Sequence, residues 1–224
     1  MIIDGHAHIG ARAYDRYGIY PYIPKTTEDI VRLMDRFGIN KACVSTTKLR
    51  TSDFIGANET LKKEVERFPD RFIPFCFVNP RALEEAIDEI RKYAGLGWKG
   101  VKLHPFYGYY DANTPFVKRV LQEAAKLRVP VLIHSSDTMY CEPWRIAELA
   151  EKVPDATIIM GHSGGFLWRD AVEYATEHKN IILDTAFAKH AWNYLPSAVR
   201  RIGAERIYFG TNVPFAYPNP NLVA

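Results

Sequence analysis

Short apolar, β-rich runs alternate along this chain with longer segments whose apolar residues recur at helical spacing. The β-rich runs are Ile2–His8, Lys41–Thr46, Phe72–Val78, Lys99–His104, Pro130–Ser135, Ala156–His162, Asn180–Thr185 and Arg206–Thr211. Their separation, roughly 20 to 40 residues, is the size of a strand-plus-helix unit. Caps and stops predict the helices between them. Thr26-Thr27-Glu28-Asp29 opens the first, with acids where they favour the helix dipole, and Gly38 closes it. Thr60–Phe68, Arg81–Tyr93, Trp144–Lys152, Arg169–His178 and Leu195–Ile202 follow, with Phe116–Leu127 entered through Thr114-Pro115.

Alternating strands and helices predict a parallel sheet, and eight strands predict a closed (β/α)8 barrel of the α/β class, a TIM barrel. An open doubly wound sheet is the alternative, but no glycine-rich nucleotide loop follows the first strand. Nothing marks a linker, so residues 1–224 read as one barrel domain. The longest non-periodic stretches, Gly10–Pro24 and Thr47–Ala57, follow strands one and two and would cap the C-terminal face. Beyond Thr211 the chain is rich in Pro and Asn, so the eighth helix is expected to be missing or truncated. A second copy could cover that flank, which makes a homo-oligomer an expectation.

Composition narrows the function classes. A formal charge of +3 without a basic block gives no case for nucleic acid, and no apolar run approaches the length of a membrane span. The chain enters its first strand at once, leaving no room for a signal peptide. Three widely spaced cysteines, Cys43, Cys76 and Cys141, suit reduced thiols, and hence a cytoplasmic protein.

The candidate chemistry lies at strand ends. Asp4-Gly5-His6-Ala7-His8 places two histidines two apart, so both point to the same side of a strand with Asp4 one pleat below. His104, His134 and His162 end strands four, five and six, the end of a barrel where function concentrates. His178 and His190 fall on a helix and in a loop and read as solvated. Neutral imidazole is the commonest protein ligand for a metal.

This ordered set, together with Phe209-Gly210-Thr211-x-x-Pro214 after strand eight, resembles the amidohydrolase superfamily. The nearest branch is the amidohydrolase-related one, which includes aminocarboxymuconate-semialdehyde decarboxylase, related decarboxylases and lactone hydrolases. The resemblance implies one divalent ion, zinc being the first expectation, held by His6, His8 and His134. It implies that His162 contacts the metal-bound water or the substrate. It also implies an aspartate, as metal ligand and base, where this chain has Asn212. An amide carries no charge and is no base near neutral pH. The asparagine is engineered to trap substrate or metal, or marks a natural subfamily in which His162 or another group is the base, or marks lost activity or a position out of alignment.

The function so expected is hydrolysis of a small amide, ester or lactone by metal-activated water. The alternative is non-oxidative decarboxylation of a small unsaturated or aromatic carboxylic acid, and a second alternative is an inactive binding barrel. The partner is a small molecule, in one reading a carboxylate. Lys102 points to the same side as His104 and either bridges metals in carboxylated form, as in binuclear relatives, or pairs with an acid such as Asp184. Asp4 is expected to fix a histidine tautomer. Tyr107, Tyr109, Tyr110, Trp168 and Phe187 are candidate pocket walls, and Arg12, Lys48 and Arg50 candidate partners for a substrate carboxylate.

Overall fold

The computed structural model describes residues 1–10, 26–50, 52–186 and 195–216. Strands and helices alternate through them: β1 Ile3–Ile9, α1 Thr27–Arg36, β2 Lys41–Thr46, α2 Phe54–Glu66, β3 Phe72–Phe77, α3 Leu83–Gly95, β4 Gly100–Leu103 and α4 Pro105–Gly108. They continue as α5 Pro115–Leu127, β5 Val131–His134, α6 Pro143–Lys152, β6 Ile158–Gly161, α7 Trp168–Glu177, β7 Ile181–Asp184, α8 Leu195–Ile202 and β8 Ile207–Tyr208. Neighbouring strands pair in parallel in the order β1 to β8. Chain just past β8 closes the ring onto β1. Gly5 N–H donates to Phe209 O at 2.7 Å, Asn212 N–H to His6 O at 2.8 Å, and His8 N–H to Val213 O at 2.7 Å. The (β/α)8 barrel read from the sequence is the observed fold.

Period-2 alternation sorts every strand into an outer and an inner series. Val131 and Ile133, Ile158 and Met160, and Ile181 and Leu183 face outward into one core with the helices. Each buried aliphatic there stabilises by about 1.5–3 kcal/mol. Between them Phe75, Leu132 and Ile159, backed by Cys43, Ile73, Ile182 and Tyr208, fill the lower barrel interior. On four strands the next inward positions are polar: His6 and His8 on β1, Lys102 on β4, His134 on β5 and Asp184 on β7. The site is therefore the upper rung of the same inward series.

Local chemistry sets the helix ends. Thr26 and Asp29 form a capping box on α1, each side chain accepting the other's backbone N–H. Helix α2 starts six residues before the predicted Thr60, because Asp53 accepts the Gly56 N–H as its cap. The expected loop Thr47–Ala57 therefore ends at Asp53, about four residues early. A four-residue helix, α4, not anticipated from the sequence, follows β4 with His104 as its cap. Among the described residues no helix follows β8. A groove of about 480 Å³, lined by Ile2, Ile3, Leu195, Val199, Ile207 and Tyr208 among others, lies beside β1 and β8. No helix among the described residues is long and apolar enough to cross a membrane. Arg12, Phe187, His190 and residues 217–224 lie outside the described residues.

Candidate active site

The histidines expected to converge do so at the C-terminal mouth of the barrel. Ring centroids of His6 and His8 lie 5.2 Å apart, those of His6 and His162 4.8 Å, and those of His162 and His134 4.7 Å. His104 stacks on His134 at 3.9 Å. Strand geometry delivers His6, His8 and His134, whereas His162 stands where β6 breaks. There His162, Ser163, Gly164 and Gly165 all take positive φ, between 47° and 78°. This left-handed run is costly for the two non-glycine residues. It turns the His162 backbone toward β7, where its N–H donates to Asp184 Oδ2 at 3.2 Å.

Hydrogen bonds on the outer ring nitrogens assign the tautomers. His6 Nδ1–H donates to Asp184 Oδ2 at 2.8 Å, and its Nε2 accepts from Lys102 Nζ at 3.1 Å. His8 Nδ1 faces Thr46 O at 3.2 Å and Ser45 Oγ at 2.9 Å, and His162 Nδ1–H donates to Ala186 O at 2.9 Å. A carbonyl can only accept, so Nδ1 carries the proton in these rings and Nε2 keeps its lone pair. Burial holds His6, His8, His104 and His134 well below the ordinary imidazole range, and the charge of Lys102 adds to it. Burial lowers His162 too, against the pull of Asp184. Neutral rings with anchored Nδ1–H groups are a donor set that suits a divalent ion.

Asp184 is the residue the sequence undervalued. It appeared only as a partner for Lys102, yet it organises the site. Its carboxylate takes His6 Nδ1–H and the His162 N–H on Oδ2, and the Ala186 N–H on Oδ1. Ser163 Oγ donates to Asp184 O at 2.6 Å and accepts its N–H at 3.0 Å, replacing the strand ladder where β6 ends. Burial raises the Asp184 carboxyl and lowers the Lys102 ammonium, and each charge moderates the other. Lys102 reaches Asp184 through His6 rather than by a direct pair. The signal available was an inward-facing acid ending an apolar strand, the same signal by which His134 was found.

Asp4 corrects one expectation. It touches no imidazole, and instead accepts the His6 N–H (3.0 Å), the Thr211 N–H (3.0 Å) and Thr211 Oγ1 (2.6 Å). It ties β1 to the chain after β8, and burial pushes its carboxyl up to about 7. Asn212 is buried at the site with φ 61°, its N–H on His6 O. The grouping of ligand atoms also differs from the expected triad. His6, His162 and Asp184 offer atoms within 4.8 Å of one another, and His134 joins through His162. His104 Nδ1 accepts the Tyr107 N–H at 3.4 Å.

The candidate walls fall away. Tyr110 and Trp168 are buried in the core, and Tyr109 is 74% exposed. Tyr107 stacks on His104, with Arg50 over its ring. Lys48 is exposed, its Nζ 3.4 Å from Thr60 Oγ1. His178, expected to be solvated, is half-buried at the end of α7.

Comparison with known proteins gives the same frame. The amidohydrolase family model matches residues 3–222. A gamma-resorcylate decarboxylase from Rhizobium radiobacter is 25% identical over 214 residues, spanning 71% of this chain and 64% of its own length. The match thus covers less than two-thirds of that relative's length. A crystal structure of 2,6-dihydroxybenzoate decarboxylase complexed with 2,6-dihydroxybenzoate superposes with a TM-score of 0.74 at 21% identity, covering 100% of this chain and 90% of that one. The 5-carboxyvanillate decarboxylase of Novosphingobium aromaticivorans, complexed with manganese and 4-hydroxy-3-methoxy-5-nitrobenzoic acid, gives 0.76 at 17%, covering 100% and 88%. These findings overturn the expected hydrolase: the relatives are decarboxylases, the reading held as the alternative. Zinc gains no support, since the metal in that solved relative is manganese.

Proposed function

The chain belongs to the amidohydrolase family, and on that premise we propose that it is a metal-dependent, non-oxidative decarboxylase of a small aromatic carboxylic acid. The observation that carries this reading is the buried Lys102 amino group, 3.1 Å from the inward nitrogen of His6 among neutral imidazoles. Loss of carbon dioxide from an aromatic carboxylate breaks the ring–carboxyl bond and leaves its electron pair on the ring carbon, which must then take a proton. The reaction therefore needs a charge that holds the carboxylate and a group that hands over a proton. A hydrolase needs a base beside its water instead, which the Asn212 amide cannot be.

In this reading His6, His8 and His134 hold one divalent ion, with His162 beside it. Bound there, the ion would supply the positive charge that anchors and polarises the carboxylate and a neighbouring phenol oxygen. His162, with Nδ1–H given to Ala186 O, presents a lone pair that accepts the phenol proton. Lys102 is the proton donor to the ring carbon, and the Asp184 charge, reaching it across His6, favours its ammonium form. Asp184 keeps His6 Nε2 turned inward throughout. Asn212 offers an uncharged contact at the rim of the site.

The test is direct. Protein loaded with one equivalent of manganese is incubated with 2,6-dihydroxybenzoate and 5-carboxyvanillate in D2O, and products are separated and weighed by mass spectrometry. The reading expects the decarboxylated phenol with one deuterium on the carbon that bore the carboxylate. Stoichiometric manganese with no turnover of any hydroxybenzoate would sink it.

A further inference from the structure

His134 is held differently from the other inward histidines. The rings of His6, His8 and His162 are each anchored by a hydrogen bond on Nδ1. Among the described residues the His134 ring makes no hydrogen bond, and its contacts are faces and edges. It lies 3.9 Å from the His104 ring at an interplanar angle of 13°, and edge-on to His162 at 72°. His104 is itself 4.1 Å from Tyr107 at 18°. Two near-parallel rings that close to His104 cannot share one of its faces, so His104 is clamped between Tyr107 and His134. Arg50 extends the pile, its guanidinium carbon 4.5 Å from the Tyr107 ring centre and its Nη2 donating to Tyr107 Oη at 3.2 Å.

We propose that His104 is the positioning residue for His134: the stack from Arg50 through Tyr107 and His104 sets the plane of the His134 ring. An imidazole without an anchoring hydrogen bond can turn about its χ2, and a broad torsion of that kind needs packing to fix it. The stack fixes the plane, and with it the direction of the ring's lone pair, before any ligand arrives. His104 also caps α4, its Nδ1 accepting the Tyr107 N–H. The two roles separate by substitution. His104→Phe keeps an aromatic face and loses the acceptor, whereas His104→Asn keeps a cap acceptor and loses the face.

The first readout is the Hε1 resonance of His134 in metal-free protein labelled at histidine, assigned by its loss in His134→Ala. Stacking shifts this proton upfield. The expected result is an upfield, sharp resonance in wild type and His104→Phe, and a return toward the unstacked position in His104→Asn. The second readout is manganese affinity by EPR titration, expected within about threefold of wild type for Phe and at least about tenfold weaker for Asn. If the asparagine variant does not fold, Tyr107→Leu against Tyr107→Phe probes the outer layer, with the shift reduced by Leu alone. Equal resonances in the Phe and Asn variants, or a downfield His134 in wild type, would overturn the proposal. It rests on the metal-site reading only for the second readout. A wild-type protein that binds no manganese refutes that reading while the resonance still decides the stack.

Discussion

Replacing Asp184 by asparagine removes one charge and one acceptor at almost constant volume, and the structure states what must follow. Three donors converge on this carboxylate: the His6 Nδ1–H at 2.8 Å, the His162 N–H at 3.2 Å and the Ala186 N–H. An amide has one oxygen, so its NH2 group must face a donor on one side. The two backbone N–H groups cannot change, but an imidazole can. With the amide oxygen toward Ala186, the NH2 group faces both the His162 N–H and His6 Nδ1 and drives the His6 proton to Nε2, removing the lone pair that faces Lys102. With the oxygen toward His6, the Ala186 N–H loses its acceptor and His6 keeps only a neutral one, so its basicity falls in either arrangement. A charge-assisted hydrogen bond contributes about 1.5–3 kcal/mol. Losing the outer partner of a ligating histidine typically weakens metal binding about 10–100-fold, or about 1.4–2.8 kcal/mol, so the two routes to the magnitude agree. Manganese titrations of chelator-stripped wild type and Asp184→Asn, followed by EPR, read the change, with a thermal melt to show that both are folded. A folded variant whose affinity stays within threefold of wild type would refute the tautomer argument.

Four further outcomes follow from the geometry. His6→Ala and His134→Ala are expected to abolish stoichiometric manganese while His178→Ala leaves it, as elemental analysis after gel filtration will tell. Asn212→Asp places a negative charge in the buried site and is expected to tighten manganese by roughly tenfold or more; unchanged affinity would remove residue 212 from contact with the ion. Gly210→Ala would put a Cβ 3.0 Å from His6 Cβ and 3.1 Å from Ala186 Cβ. It should cost about 1–3 kcal/mol, seen as a lower midpoint in a circular-dichroism melt, and an unchanged midpoint would mean that the β8–β1 approach is slack. Asn58→Ala strips the buried partner from both Phe77 backbone groups, now 2.9 and 3.0 Å away. Two unsatisfied groups should cost about 2–4 kcal/mol and lower the melting point by several degrees, without altering manganese affinity.

The strands were legible because a two-residue period leaves so little freedom. Once Leu132 and Ile182 face inward, His134 and Asp184 must do so as well. What the chain could not reveal was which inward acid meets which inward histidine. Asp4 and Asp184 carry the same local signal, an acid on the inner face of a strand. Their partners depend on how far each strand is staggered against its neighbours around the ring. Asp4 sits two residues below His6 and meets Thr211, while Asp184, arriving from β7, stands level with the His6 ring. Stagger is a property of the closed sheet, and no window of sequence contains it. Likewise the start of α2 was missed because the Asp53 cap precedes a run with Gly56 and Asn58, residues that read as loop until Asn58 is seen bonded to Phe77 and Glu89. His104 was legible as the end of β4, but its stacking partner His134 comes from the next strand.

The seam between β1 and the chain after β8 has a consequence for the order of events in folding. Asp4 and Thr211 are 207 residues apart along the chain. The groups that bond Asp4 and the His6 carbonyl come from a segment synthesised only after all eight strands. A ribosome-bound chain can build β1 through β7 pair by pair, yet His6 and His8 remain on an open sheet edge until that segment arrives. Contacts of such separation are slow to form, because the entropy of closing the loop is spent before the contact returns anything. The histidine-bearing end of β1 thus waits on an open edge while the other seven strands are made, and is enclosed only when the chain past β8 arrives.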